Sequence, residues 1–176
     1  MLDDVYNAKI IEYAGNIPHA GRLEAPDATA KAHSKLCGST VIVDLKMEEK
    51  DGVLTVSEFA HDVKACALGQ ASASIMARNI IGATAAELKT VKKQAYAMLK
   101  DGEPAPQGRF AELEFIAPVR EYKARHASTL LTFDAVVDCV EEIEAKRKSA
   151  KKEKQATAKK HAMNALSSAG IKFRVR

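Results

Sequence analysis

Residues 40–56 constrain the fold more than any other stretch. Val41, Val43, Leu45 and Met47 alternate with Thr40, Asp44, Lys46 and Glu48, and a period of two puts one set on each face of a half-buried strand. Lys50-Asp51-Gly52 follows, a combination suited to the positive φ angles of a tight reversal, so Val53-Leu54-Thr55-Val56 reads as the return strand. Ser57-Glu58-Phe59-Ala60-His61-Asp62-Val63 extends as a third antiparallel strand and delivers Cys66 to one end of the sheet.

Helical patterns flank this sheet. Leu2, Val5, Tyr6, Ile10 and Tyr13 recur at helical spacing, which predicts a helix over 3–14 that stops at Gly15-Asn16. Two prolines and a glycine make residues 17–27 irregular. Residues 67–80 read as a helix whose Ala and Ser side chains let other segments pack closely around its first turn. Thr84-Ala85-Ala86-Glu87 has the form of a capping box, opening a helix with Leu88, Val91, Ala95 and Leu99 on one side. A turn-rich loop over 101–108 and a short extended piece, Leu113-Glu114-Phe115-Ile116, precede a last helix with the stripe Phe133, Val136, Val137, Val140 and Ile143. The expected fold is α+β: a three-stranded antiparallel sheet packed against several α-helices, in a body over 1–144.

The net charge of +4 hides an uneven distribution. Residues 145–176 hold 11 Lys/Arg and one Glu, a net +10, whereas residues 1–144 hold 16 Lys/Arg and 22 Asp/Glu, a net −6. The basic, Ala- and Lys-rich tail over 145–176 either extends the last helix or is disordered. Three widely spaced cysteines do not form a small secreted disulfide framework. With no basic leader or apolar run at the start, this composition points to a reducing, cytoplasmic setting. No apolar stretch approaches the ~18 residues of a spanning helix, so no membrane association is expected.

Chemistry concentrates at element junctions. Cys66 sits where a strand gives way to a helix, near the positive end of a helix dipole that favours a thiolate; its alternative role is that of a small buried apolar side chain. Cys37 lies in Leu36-Cys37-Gly38-Ser39 before the sheet, and His126 opens the final helix. Thiolates and imidazole suit zinc and iron–sulfur species. Cys139, with no base or ligand near it, reads as packing. A Gly-x-Ser-x-Gly elbow and a phosphate loop are both absent, and His61-Asp62 on a strand point to opposite faces, so hydrolase and transferase readings have little support.

The order of helix, Cys-Gly-Ser, hairpin, Cys with an Ala/Ser-rich helix, long helix, Pro118-Val119-Arg120 and His126 resembles the iron–sulfur cluster scaffold proteins of the IscU, SufU and NifU N-terminal type, over roughly residues 5–144. The most specific part is Cys66-Ala67-Leu68-Gly69-Gln70-Ala71-Ser72-Ala73-Ser74, similar to the family's Cys-x-x-x-x-Ala-Ser-x-Ser helix start. Leu36-Cys37-Gly38-Ser39 resembles its Cys-Gly-Asp turn, and residues 6–23 its N-terminal signature. The resemblance implies a SufE/NifU-like fold and a non-enzymatic scaffold or carrier, here a monomer. Such a protein accepts sulfur from a cysteine desulfurase, holds a transient [2Fe–2S] cluster or zinc, and passes the cluster to apo iron–sulfur proteins.

In that frame Cys66 or Cys37 is the persulfide acceptor, and Cys37, Cys66 and His126 are the protein ligands. Ser39, a small thiol or a partner protein would complete the fourth position. The family's aspartate is replaced here by Ser39, and its third cysteine by Ala127 in Lys123-Ala124-Arg125-His126-Ala127-Ser128. A degenerate, regulatory or metal-binding member of the assembly machinery is therefore the alternative. Nucleic-acid binding through the basic tail is a third reading; the lack of interleaved aromatic residues over 146–160 argues against base stacking there.

Overall fold

The computed structural model describes residues 7–168. Of the predicted N-terminal stripe, Leu2, Val5 and Tyr6 lie outside the described residues. Helix α1 (Ala8–Gly15) is capped by Asn7, whose side chain accepts a hydrogen bond from Ile10 N at 3.0 Å, and buries Ile10 and Tyr13.

The sheet has three antiparallel strands in the order β1 (Ala28–His33), β2 (Thr40–Lys50) and β3 (Val53–Lys64). The class is as expected, but the strands are divided differently. The predicted return strand and third strand are one 12-residue strand, β3. What looked like a break at Ser57 is a register shift: Lys46 pairs with Glu58 and Met47 with Val56, so Ser57 is the extra residue of a bulge. The third strand is β1, a sequence of Ala alternating with polar residues. Its alternation is regular, but methyl groups give a weak hydrophobic signal. The Asp51-Gly52 reversal is as predicted, with φ of 50° and 78°.

Helix α2 (Ala67–Asn79) is buried on nearly every face, from Leu68 through Ala77 except Gln70. It packs on α1, on β3 and on the segment Gly108–Glu121, and only small side chains such as Ala71, Ser72, Ala73 and Ser74 fit a helix so enclosed. Helix α3 (Ala85–Lys100) begins with the predicted capping box: Thr84 N donates to Glu87 Oε2 at 2.8 Å and Glu87 N to Thr84 Oγ1 at 3.1 Å. Residues Gly108–Glu121 are 3₁₀ helix, interrupted at Phe110, and the expected extended piece over 113–116 is absent. The buried residues Phe110, Leu113, Ile116 and Val119 recur every three positions, the period of a 3₁₀ helix. Helix α4 (Lys123–Ser168) follows; Phe133, Val136, Val137, Val140 and Ile143 are buried as expected.

The chain forms two compact units, Met1–Glu141 and Glu142–Arg176. In the first, the apolar face of β2 (Val41, Val43, Leu45, Met47) is buried, and Cys139 of α4 donates to Val43 O at 3.5 Å. In the second, the described side chains from Lys151 to Ala165 are all exposed.

Asp44 lies on the face of β2 that the alternation assigned to solvent, yet it is fully buried. The segment before β1 covers it. Arg22 donates to it through Nε at 2.6 Å and Nη2 at 3.0 Å, Leu23 N at 3.0 Å and Thr29 Oγ1 at 2.6 Å. Burial alone would raise the Asp44 pKa, but these hydrogen bonds outweigh it and hold the carboxyl below its usual range. A carboxylate depressed on folding stabilises above its unfolded pKa of about 3.9 and loses that contribution as pH falls through the folded value. Asp44→Asn should therefore lower stability at pH 7 by about 1.5–3 kcal/mol, the magnitude of losing hydrogen bonds to a buried charged acceptor whose Arg22 partner is half exposed. In urea denaturation, the difference from the parent chain should shrink progressively below pH 4.

Candidate functional site

Cys37 stands in the connection between β1 and β2, which is closed by Ser34 N donating to Ser39 O and Gly38 N to Ser34 O, both at 2.9 Å. Gly38 turns the chain with a φ of 71°, a conformation open to glycine without strain. The turn leaves Cys37 exposed while Ser34 and Ser39 are buried beneath it. Cys37 Sγ is 3.4 Å from Ser34 Oγ and 3.0 Å from Ser39 Oγ. The thiol donates to one of these oxygens; once ionised, the sulfur accepts from the hydroxyls instead. Hydrogen bonds from Ser34 first, then Ser39, pull the Cys37 pKa down from 9.0 to about 7 despite partial burial, with the Ser39 backbone and the Ser128 hydroxyl adding to the effect.

Cys66 occupies the N-cap position of α2, as expected for a strand-to-helix junction. Its Sγ lies 3.5 Å from Ser128 Oγ. Ser128 is in the first turns of α4, where its hydroxyl donates to Arg125 O at 3.0 Å. One hydroxyl thus faces both thiols. Gly69 allows this: a Cβ there would stand 2.8 Å from Ala65 Cβ and 3.0 Å from the Ser128 carbonyl oxygen. One turn further along α2, Ser72 Oγ donates to Thr129 O at 2.6 Å, so two small residues lock α2 to the start of α4.

His126 is buried, and its Nε2 lies 3.2 Å from Val119 O and 3.0 Å from Arg120 O. Both partners are acceptors, so Nε2 carries a proton, and in the neutral tautomer the lone pair is on Nδ1. A carbonyl on one ring nitrogen is the usual support for a ligating imidazole. Among the described residues, however, no three His, Cys, Asp or Glu side chains stand close enough together to hold a metal ion. The donor types suit zinc or iron; Cys66 stands against Ser128, a hydroxyl that also influences Cys37, and His126 is in the same first turns of α4. Ser39 is a hydrogen-bond partner of Cys37. Cys139 is buried, as the packing reading requires. His61 is also buried: its Nε2 lies 2.9 Å from Pro18 O, and desolvation pushes its pKa down.

Sequence reasoning missed Ser34 and Ser128. Ser34 was detectable as the third residue before Cys37. Ser128 had no such signal, because only the packing of α4 on α2 brings it to Cys66.

If the serine hydroxyls set the acidity of Cys37, alkylation of this thiol by iodoacetamide should show a half-maximal rate near pH 7 in the parent chain. In the Ser34→Ala, Ser39→Ala double variant the midpoint should move up by more than one pH unit, toward the ordinary thiol range of about 8.5. Separately, Gly69→Ala should cost about 1–3 kcal/mol of stability in denaturant unfolding, as overpacked sites do.

Comparison with known proteins agrees with this fold. The profile of the NifU-like N-terminal domain matches residues 5–129. The iron–sulfur cluster assembly scaffold protein IscU of Thermotoga maritima is 26% identical over 139 residues, covering 79% of this chain and 94% of that protein. The crystal structure of a nitrogen-fixing NifU-like protein (N-terminal) from Brucella abortus is 63% identical with a TM-score of 0.78, covering 82% of this chain and 98% of that one. A SUF-system chain from Fervidobacterium islandicum AW-1 shares the fold at a TM-score of 0.70 and 20% identity, covering 78% and 98%. With the profile matching residues 5–129 and the fold shared with these structures, the chain belongs to the NifU-like N-terminal domain family of iron–sulfur cluster assembly scaffolds.

Proposed function

We propose that this chain accepts sulfur on Cys37 and holds a nascent [2Fe–2S] cluster between Cys37 and Cys66 before passing it to an apo-protein. The observation that carries this reading is the pairing of an exposed, acidic thiol with a second thiol across Ser128. At neutral pH about half of Cys37 is thiolate, from a pKa of about 7. Its sulfur attacks the outer sulfur of a donor persulfide, as borne by a cysteine desulfurase. The S–S bond of the donor breaks, the donor thiolate leaves with the electron pair, and Cys37 becomes the persulfide; an external two-electron reductant, such as a thiol pair, then cleaves that S–S bond, releasing sulfide to the iron and returning Cys37 to the thiolate. Leu36, 78% exposed beside Cys37, gives a protein donor an apolar contact at the reacting atom.

The cluster is cargo. Two thiolates bind it and the Nδ1 of His126 is the third protein donor, while its Nε2–H stays on the carbonyls of residues 119 and 120. Ser39 and Ala127 stand where the family has an aspartate and a cysteine. A site with one position left to an external ligand holds its cargo weakly, which favours transfer over storage. The alternative, a metal-binding or regulatory member without stable cluster binding, is favoured by one observation: no three-ligand group is assembled among the described residues.

Anaerobic reconstitution with iron, cysteine and a cysteine desulfurase separates the two. The scaffold reading expects a [2Fe–2S] visible spectrum that is lost in Cys37→Ala and Cys66→Ala and weakened in His126→Ala. Ser39→Asp with Ala127→Cys should lengthen cluster lifetime at least tenfold. A chain that forms no cluster, with or without these two substitutions, is the regulatory member.

A further inference from the structure

A cleft of about 350 Å³ is lined by His33, Lys100, Lys123, His126 and Ala127 over a floor of Leu130 and Leu131. It adjoins the site through the chain itself. His33 precedes Ser34, a hydroxyl partner of Cys37, and Ala127 precedes Ser128, the hydroxyl that faces Cys66.

The charge of this cleft is uncompensated. Lys100 rests its ammonium 4.8 Å from the centroid of the Tyr96 ring, and among the described residues neither Lys100 nor Lys123 has a carboxylate within ion-pair distance. The acid that also lines the cleft, Asp134, is already committed: Lys92 Nζ is 3.0 Å away and Tyr96 Oη donates to both of its oxygens at 2.9 Å. The volume is at the lower end of small-ligand sites, about 300–1,000 Å³. Two free ammonium groups over an apolar floor select a small molecule carrying carboxylates. Ala127, exposed and one helical turn after Lys123, lines the same cleft and directly precedes Ser128, the residue whose hydroxyl faces Cys66.

We propose that this cleft binds a low-molecular-weight anionic thiol. Its carboxylates pair with Lys100 and Lys123, and its sulfur lies at Ala127, where it supplies the third thiolate to cargo held by Cys37 and Cys66. The thiol gives up its proton to solvent on binding metal, and no oxidation is involved. The ligation half of this proposal rests on the scaffold reading; the binding half does not.

Calorimetric titration of the reduced, metal-free full chain tests the binding half, with reduced glutathione as the anionic thiol, S-methylglutathione as its capped analogue and cysteamine as a cationic thiol. Glutathione and S-methylglutathione should both bind saturably and more weakly as salt rises, and cysteamine should not bind. Lys100→Gln with Lys123→Gln should weaken glutathione at least tenfold with an unchanged melting temperature. No saturable glutathione binding, or binding indifferent to the two lysines, overturns the proposal. The ligation half is read on the chain loaded with Co(II). Glutathione should raise the sulfur-to-cobalt charge-transfer absorption and S-methylglutathione should not; equal spectra overturn the thiolate role. Cobalt held by Cys37 and Cys66 without glutathione binding means that this proposal fails while the scaffold reading stands. Lysine-dependent glutathione binding with no cobalt or cluster held by those cysteines overturns both the scaffold reading and the ligation half.

Discussion

The antiparallel pairing of Thr40 with Lys64 decides where the chemistry of this chain sits. Cys37 lies three residues before that pair and Cys66 two residues after it, so whatever fixes the register of β2 on β3 also brings both thiols to the same end of the sheet. Register is held by burial of Val41, Val43 and Leu45 on one face and of Asp44 on the other. A slip of one residue would exchange these faces and place the Asp44 carboxylate in the apolar layer. The bulge at Ser57 confines the irregularity to the far part of the hairpin, away from the thiols.

Helix α2 then determines how the thiols are used. Its small side chains let α4 approach until Gly69 touches the Ser128 backbone, and this contact sets the Ser128 hydroxyl next to Cys66. Hydroxyls rather than carboxylates surround Cys37. An aspartate at position 39 would add a negative charge that opposes the thiolate while offering a metal an oxygen ligand. Ser39 does the reverse, lowering the thiol pKa by hydrogen bonding and giving little to a metal. On the proposed function, this weights the site toward sulfur reactivity and away from tight metal retention.

The local rules of the sequence carried much of this. The Asp51-Gly52 turn, the Thr84–Glu87 capping box and the stripe from Phe133 to Ile143 were legible because each is specified by residues close in sequence. The α+β class followed from them, as did the positions of Cys37 and Cys66 at element ends. Strand β1 was not legible, because alternating Ala gives no strong apolar signal. The 3₁₀ segment was misread because four residues, 113–116, fit an extended pattern; the period of three is visible only over 110–119. The burial of Asp44 and the role of Ser128 could not be read at all, since each depends on a segment distant in sequence packing over it. Among the candidate ligands, His126 shows the same limit: its position on α4 was evident, but the attachment of its Nε2 to the carbonyls of residues 119 and 120 was not.

On the proposed function, Cys37 and Cys66 act as one dithiol. A trivalent arsenical tests it without iron, a sulfur donor or a partner, because an arsine oxide condenses stably with two thiols in mutual reach and releases one water. Intact-mass measurement of the reduced chain with p-aminophenylarsine oxide should give a single adduct that survives dilution and persists in Cys139→Ala. The same adduct should be absent in Cys37→Ser and in Cys66→Ser. An adduct that survives the loss of either thiol, or none in the parent chain, would contradict the account.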